Sequence, residues 1–262
     1  MPVDHIWMFP NKPSRLWSIS SKIVLSLVGS TSKLWTDCLN SFNIVNKDIL
    51  YDAIEKRPVN QGLVTVSNHY SCIDEPVLWG ILKWRYLIGG RNIRWTLGAD
   101  NICFTKYWHS LFFSLGRVVP VCRGEGVYQK SLDFVLDQLN AGQWLHMFPE
   151  GRVNLSKEFM RLKWGVGRLI ADCNNNSLVL PIWLVGMDSI LPNKKPYIPK
   201  IGKTVTVLIG EPIQFKSDVQ QLQNAGKNAR EIRKYITDRI QDEFRHMKIK
   251  AERIHYESLY RS

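Results

Sequence analysis

The sequence predicts an α/β fold: a mainly parallel central sheet flanked by helices on both faces, with an N-terminal amphipathic, membrane-associated helix. Three observations predict it. From residue 43 onward, short apolar runs alternate with stretches whose apolar residues recur every three or four positions, as in strands separated by crossover helices. A length of 262 residues, 45% of them hydrophobic, is enough for one large core. The first 36 residues are basic and carry an amphipathic pattern of their own.

In the leader, Lys12, Arg15, Lys22 and Lys33 stand against a single acid, Asp4, which has some of the character of a mitochondrial targeting segment. A helix over 16–35 gathers Ser18, Lys22, Ser26, Gly29 and Lys33 on one side and Leu16, Trp17, Ile23, Val24, Leu27, Val28, Leu34 and Trp35 mainly on the other. Its longest nearly unbroken apolar run, Ile23 to Val28, falls far short of the ~20 residues that a spanning helix needs, so the segment is expected to lie in one leaflet. The other reading is a helix docked on the protein's own core. We divide the chain into residues 1–40, the basic leader with its interfacial helix, and residues 41–262, an α/β domain ending in an amphipathic helix.

Strands are expected at 63–67, 93–97, 117–122, 144–148, 178–185 and 204–209, and helices at 76–84, 127–140, 162–173 and 229–256. In the last helix Ile232, Ile236, Ile240, Phe244, Met247, Ala251 and Ile254 form an ordinary core stripe. Residues 192–203 come nearest to a linker. In sheets of this kind, sites gather at the carboxyl ends of strands.

An excess of 12 positive charges implies an anionic partner. Ten Trp, nine Tyr and ten Phe interleaved with cations favour a membrane surface, and no nucleic-acid-binding signature is present. The expected membrane-binding residues are Trp17, Lys22, Lys33 and Trp35 in the leader, Lys83, Trp84, Arg85, Arg91 and Arg94 in a stretch free of acids, and Lys194 and Lys195 beyond. Five widely spaced cysteines without a C-x-x-C pair indicate neither a disulfide framework nor a metal site, and are expected to be mostly buried thiols.

Chemistry concentrates in two motifs that each follow a predicted strand. His69 and Asp74 lie five residues apart in Asn68-His69-Tyr70-Ser71-Cys72-Ile73-Asp74, too far round a helix to share a face, so contact needs a turn between them. Pro76, tolerated in a first helical turn, leaves Asp74 at the junction, able to fold back on the imidazole or merely to cap the helix. Paired, the two form a general base and its orienting carboxylate. Phe148-Pro149-Glu150-Gly151-Arg152 brings together a carboxylate, a flexible turn and a guanidinium. Its backbone amides are candidates for an oxyanion site. Arg123 and Arg152 suit phosphate binding, or surface ion pairs. Glu150 suits either substrate hydroxyls or a hold on Arg123. A covalent route through Cys72 needs a lowered thiol pKa that nothing in the sequence indicates.

Asn68-His69 with Asp74, the 116–123 segment, Phe148-Pro149-Glu150-Gly151 and Leu178-Val179-Leu180-Pro181-Ile182 together resemble the four ordered blocks of the glycerolipid acyltransferase family. The likeness extends to Trp17, Trp35, 102–106, 119–124 and 164–170, which are similar to a mitochondrial phospholipid transacylase branch. That resemblance implies acyl transfer from phosphatidylcholine to monolysocardiolipin, yielding cardiolipin, with His69 and Asp74 catalytic. It further implies that Arg123, Glu150, Gly151 and Arg152 contact substrate, that Asn68, Phe148, Pro149 and Pro181 support the motifs, and that no coenzyme A, other cofactor or metal is used. Location in mitochondria is also implied, with the protein held in one leaflet and facing the intermembrane space. Arg152 stands where the wider family usually has Thr, and Pro120 where it usually has an aromatic residue. The rival readings are a coenzyme A-dependent lysophospholipid acyltransferase and a non-catalytic membrane scaffold.

Overall fold

The computed structural model describes residues 6–88 and 93–260. Within them, β1 (Ser41–Val45), β2 (Leu63–Ser67), β3 (Trp95–Ala99), β4 (Val118–Val121), β5 (Trp144–Met147), β6 (Leu178–Val185), β7 (Thr204–Ile209) and β8 (Ile213–Gln214) form one sheet. Its order is β1-β7-β6-β2-β5-β3-β4, with β8 beside β6. Neighbours run parallel except where β6 meets β7 and β8.

The α-helices are α1 (Arg15–Leu34), α2 (Lys47–Glu55), α3 (Asp74–Leu78), α4 (Trp84–Leu87), α5 (Asp100–Cys103), α6 (Tyr107–Leu115), α7 (Lys130–Asn140), α8 (Gly165–Ala171), α9 (Met187–Ile190), α10 (Lys216–Asn224) and α11 (Ala229–Leu259). The two-residue period of the strands sorts side chains between two cores. Val64, Val66, Val179 and Trp183 pack with Val135 and Leu139 of α7, Val166 and Leu169 of α8, and Ile236 and Phe244 of α11. Leu63, Leu180, Ile182 and Val207 face the other way, onto Leu50 of α2, Leu78 of α3 and Leu87 of α4. Helices thus cover both faces.

Several elements depart from the sequence expectation. β1 escaped it because an edge strand with only half-buried residues has weak apolar patterning. α6 did so because Tyr107, Trp108, Phe112 and Phe113 blur any polar face. The helix expected over 76–84 is instead α3, a 3₁₀ turn at Trp79–Ile81 and then α4. α7 starts three residues later than expected, because the Gln129 side chain bonds Cys122 N, Cys122 O and Gly126 O and holds the preceding turn.

α1 docks through its small and polar side. Its Ser32 carbonyl lies against Gly80, where any Cβ would fall inside contact distance of backbone. Lys33 is buried there, donating to Gly80 O at 3.1 Å and pairing with Asp37 at 2.8 Å. Lys33 is therefore a docking residue, correcting its expected place on the lipid-facing surface. The outer side carries Leu16, Ile19, Ile23, Leu27 and Leu34, all more than half exposed. Among the described residues no helix is long and apolar enough to cross a membrane. Gly80→Ala is expected to lower stability by about 1–3 kcal/mol through overpacking. A denaturant midpoint equal to wild type would mean that α1 is not held at this crossing.

Candidate active site

β2 ends at Ser67, and the chain turns sharply. The Asn68 side chain prolongs the sheet by bonding both backbone groups of Leu184, donating from Nδ2 to O at 2.9 Å and accepting from N–H at 2.7 Å. His69 follows, its side chain 16% exposed, with Nδ1 3.0 Å from Asp74 Oδ2. Asp74 is fully buried. It does not cap α3; it folds backward, and Oδ2 also accepts the amides of Tyr70 (2.7 Å) and Ser71 (2.9 Å). Burial raises the Asp74 pKa, opposed first by the His69 hydrogen bond. An acceptor at Nδ1 selects the tautomer with its proton there, leaving the Nε2 lone pair for a substrate.

The turn is clasped from two distant segments. Asn154 N–H donates to His69 O at 2.6 Å, Asn193 Nδ2 to Tyr70 O at 2.6 Å, and Ser71 Oγ to Leu191 O at 3.0 Å. The 192–203 stretch is thus a β6–β7 connection that holds the motif rather than a linker. Behind the turn, Glu75 receives both ends of the Arg94 guanidinium, at 2.8 and 2.6 Å. Arg94 is consequently buried, correcting its expected exposure to lipid.

Adjacent to β2, the end of β5 supplies Phe148, whose ring stacks on His69 with centroids 4.1 Å apart at 19°. Gly151 N–H closes the following turn on Phe148 O at 3.0 Å, so that amide is not free to serve an oxyanion. Gly151 has φ +73°, a conformation that glycine adopts without strain, and the Lys163 stem covers it. Pro149 O accepts from Lys163 N–H at 2.7 Å. Pro181 lies within β6, in register with Val66 and packed beside Gly210.

Glu150 is only 3% exposed, and its Oε2 has no hydrogen-bond partner among the described residues. It makes no ion pair with Arg123. Burial pushes its carboxyl up to about 7. The unfolded carboxyl ionises near 4.5, so the fold loses stability as pH rises through this interval, approaching a penalty of about 3 kcal/mol above it. Glu150→Gln is expected to raise Tm at about pH 8 and to lose that advantage near pH 4.5. Equal shifts at both would rule out this titration.

Arg123 and Arg152 are exposed past the ends of β4 and β5, without a carboxylate partner among the described residues. One strand, β3, lies between the two strands that these loops follow. Burial, and then the charge of Asp74, raise the Cys72 thiol pKa, which disfavours a thiolate nucleophile. The thiols are less buried than expected: Cys173 is enclosed, but Cys38 and Cys72 are exposed. Among the described residues no cluster of His, Cys, Asp or Glu could hold a metal ion.

The expected membrane residues diverge. Lys22, Lys83, Lys194 and Lys195 are exposed and Trp84 is 48% exposed. Lys83 also lies over the Tyr51 ring, 4.1 Å from its centroid. Arg85 pairs with Glu55, and Trp17 and Trp35 are half-buried against the two cores. Arg91 lies outside the described residues. Glu75, His146, Asn154, Lys163 and Asn193 were not singled out from the sequence, because each meets the site through a partner remote in the chain.

The acyltransferase family model matches residues 48–185, from α2 to the end of β6. The chain is 43% identical to Tafazzin of Drosophila melanogaster over 98% of its own length and 68% of that protein. It is 36% identical to Taffazin of Dictyostelium discoideum, with 86% and 85% covered. It is 35% identical to N-acylphosphatidylethanolamine synthase of Arabidopsis thaliana, with 78% and 74% covered. In fold it is similar to the crystal structure of PlsC, the 1-acyl-sn-glycerophosphate acyltransferase of Thermotoga maritima, with a TM-score of 0.57, 17% identity, and 87% of this chain and 79% of that one covered. This chain belongs to the acyltransferase family, on its tafazzin branch, and is an acyltransferase.

Proposed function

We propose that the protein moves acyl chains between phospholipids, chiefly from phosphatidylcholine to monolysocardiolipin, without coenzyme A. The observation that carries this reading is the 3.0 Å contact between His69 Nδ1 and buried Asp74, past the carboxyl end of a central strand in a sheet that also presents two exposed guanidiniums. His69 Nε2 takes the proton of an acceptor hydroxyl as its oxygen attacks the ester carbonyl of the donor. Asp74 stabilises the imidazolium. The tetrahedral intermediate then expels the lysolipid oxygen, which recovers the proton from Nε2. One oxygen ester forms as another breaks, so the exchange is nearly isoenergetic and needs no thioester. Arg123 and Arg152 hold lipid phosphates, and a two-phosphate acceptor suits a pair of separated cations.

Residues 1–40 act as the membrane-associated element and residues 41–262 as the acyltransferase domain. The outward apolar side of α1 enters one leaflet, flanked by Lys22, with Lys83, Trp84, Lys194 and Lys195 at the headgroups. The location proposed is mitochondrial, on a surface facing the intermembrane space.

Incubating the pure protein with phosphatidylcholine labelled in its acyl chain and monolysocardiolipin, with no thioester present, is expected to label cardiolipin. Label transferred only when an acyl thioester supplies the chain would establish the coenzyme A-dependent reading instead. No transfer under either condition would overturn both.

A further inference from the structure

His146 is buried completely and takes no part in the steps above. It is the middle residue of three that alternate along β5, Trp144, His146 and Phe148, and so shares a face with the last of these, on which His69 rests. The His146 ring meets the Phe148 ring edge to face, with centroids 4.7 Å apart at 90°, while Phe148 lies nearly flat against His69. Trp79 closes the other side of His146 at 4.8 Å and 81°. The three rings His146, Phe148 and His69 therefore form one column from the buried core to the partly exposed imidazole.

A directed hydrogen-bond chain locks the base of that column. Trp144 Nε1–H can only donate, and it donates to Thr65 Oγ1 at 2.9 Å. The Thr65 hydroxyl lies 2.9 Å from His146 Nδ1 and 3.4 Å from Leu145 O; donating its one proton to the nearer ring nitrogen leaves the ring proton on Nε2. That nitrogen faces Ser67 Oγ at 3.4 Å, and Ser67 in turn donates to Asn68 O at 3.2 Å, immediately before His69.

We propose that His146 is a positioning residue: its ring sets the plane of Phe148, and through it the plane of His69, so that Nε2 of His69 meets the acceptor hydroxyl. The inference rests on His69 being the base. An uncharged ring also suits the place, since a cation beneath Phe148 would oppose formation of the His69 imidazolium. Burial holds His146 neutral, its pKa well below the usual histidine range.

Two substitutions separate its parts. His146→Gln keeps a donor and an acceptor for Ser67 and Thr65 but removes the ring; His146→Phe keeps a ring edge and removes the polar chain. Turnover is measured with the acyl donor that the labelled-lipid experiment selects. His146→Gln is expected to lower kcat about tenfold with KM unchanged, and His146→Phe to recover most of that kcat even where its Tm is lower. In combination, His146→Gln adds little to the loss caused by Phe148→Leu, because both break the same column. Wild-type kcat in His146→Gln, a kcat that follows Tm across the variants, or losses that simply multiply in the double variant would overturn the proposal. A His69→Ala control at wild-type turnover would sink the base assignment itself, and this inference with it. An inactive His69→Ala beside a fully active His146→Gln would refute the positioning role alone.

Discussion

His69→Ala is expected to lower kcat by about 10²–10⁴, the usual contribution of a positioned general base, while binding to phospholipid vesicles stays at the wild-type level. The His69 side chain is 16% exposed and stacks on Phe148, so its removal also leaves a cavity, and Tm is measured beside turnover to separate the two effects. Asp74 loses one of three donors and keeps the amides of Tyr70 and Ser71, which go on holding the turn. The clasps from Asn154 and Asn193 are made to backbone carbonyls and survive the substitution. In the proposed reading lipid affinity comes from α1 and the exposed cations, which are separate from the imidazole. The paired measurement of turnover and vesicle co-sedimentation therefore separates catalysis from docking. Unimpaired turnover would remove His69 from the chemistry, and parallel loss of both would point to a collapsed fold.

Asp74→Asn is expected to be nearly as damaging, with kcat reduced by up to about 10⁴, the loss known for amide replacement of an orienting carboxylate and no more than removal of the base itself. The amide oxygen can take over the three bonds of Oδ2, but it brings no charge to stabilise an imidazolium. Its NH₂ group falls where Oδ1 now lies, buried and without a partner among the described residues. An unsatisfied donor there costs about 1–3 kcal/mol, so a lower Tm should accompany the loss of rate. Because the two residues act as a unit, the double variant His69→Ala/Asp74→Asn should be little slower than His69→Ala alone. Multiplicative losses in the double variant would show that Asp74 supports only the fold.

Much of the sheet was legible in the chain. The strands Leu63–Ser67, Leu178–Val185 and Thr204–Ile209 lie where their apolar runs begin and end, because a strand covered on both faces must be apolar along its length. The Ser41–Val45 strand was not legible, since an edge position tolerates polar residues. The motif turn was visible as His69, Asp74 and Pro76, and their distance in space followed only from the fold. The leader shows the gap most clearly. Periodicity divided it into a polar and an apolar side, but the docked side draws on both: Gly29 and Lys33 are buried, Trp17 and Trp35 pack half-buried on the cores, and Lys22 is exposed beside Leu16 and Ile23.

What the sequence by itself determined was the class of fold, the main strands and long helices, and the two motifs that carry His69 with Asp74 and Glu150 with Arg152. These are local properties, written in the spacing of apolar residues and in the residue types that follow each strand. Only the tertiary structure decided that Phe148 supports the His69 ring, that Glu75 neutralises Arg94, that Asn154 and Asn193 clasp the turn, and that α1 leaves Leu16, Ile19, Ile23, Leu27 and Leu34 exposed. Each depends on groups far apart in the chain meeting in the fold, and strand order, which no local pattern encodes, sets who meets whom.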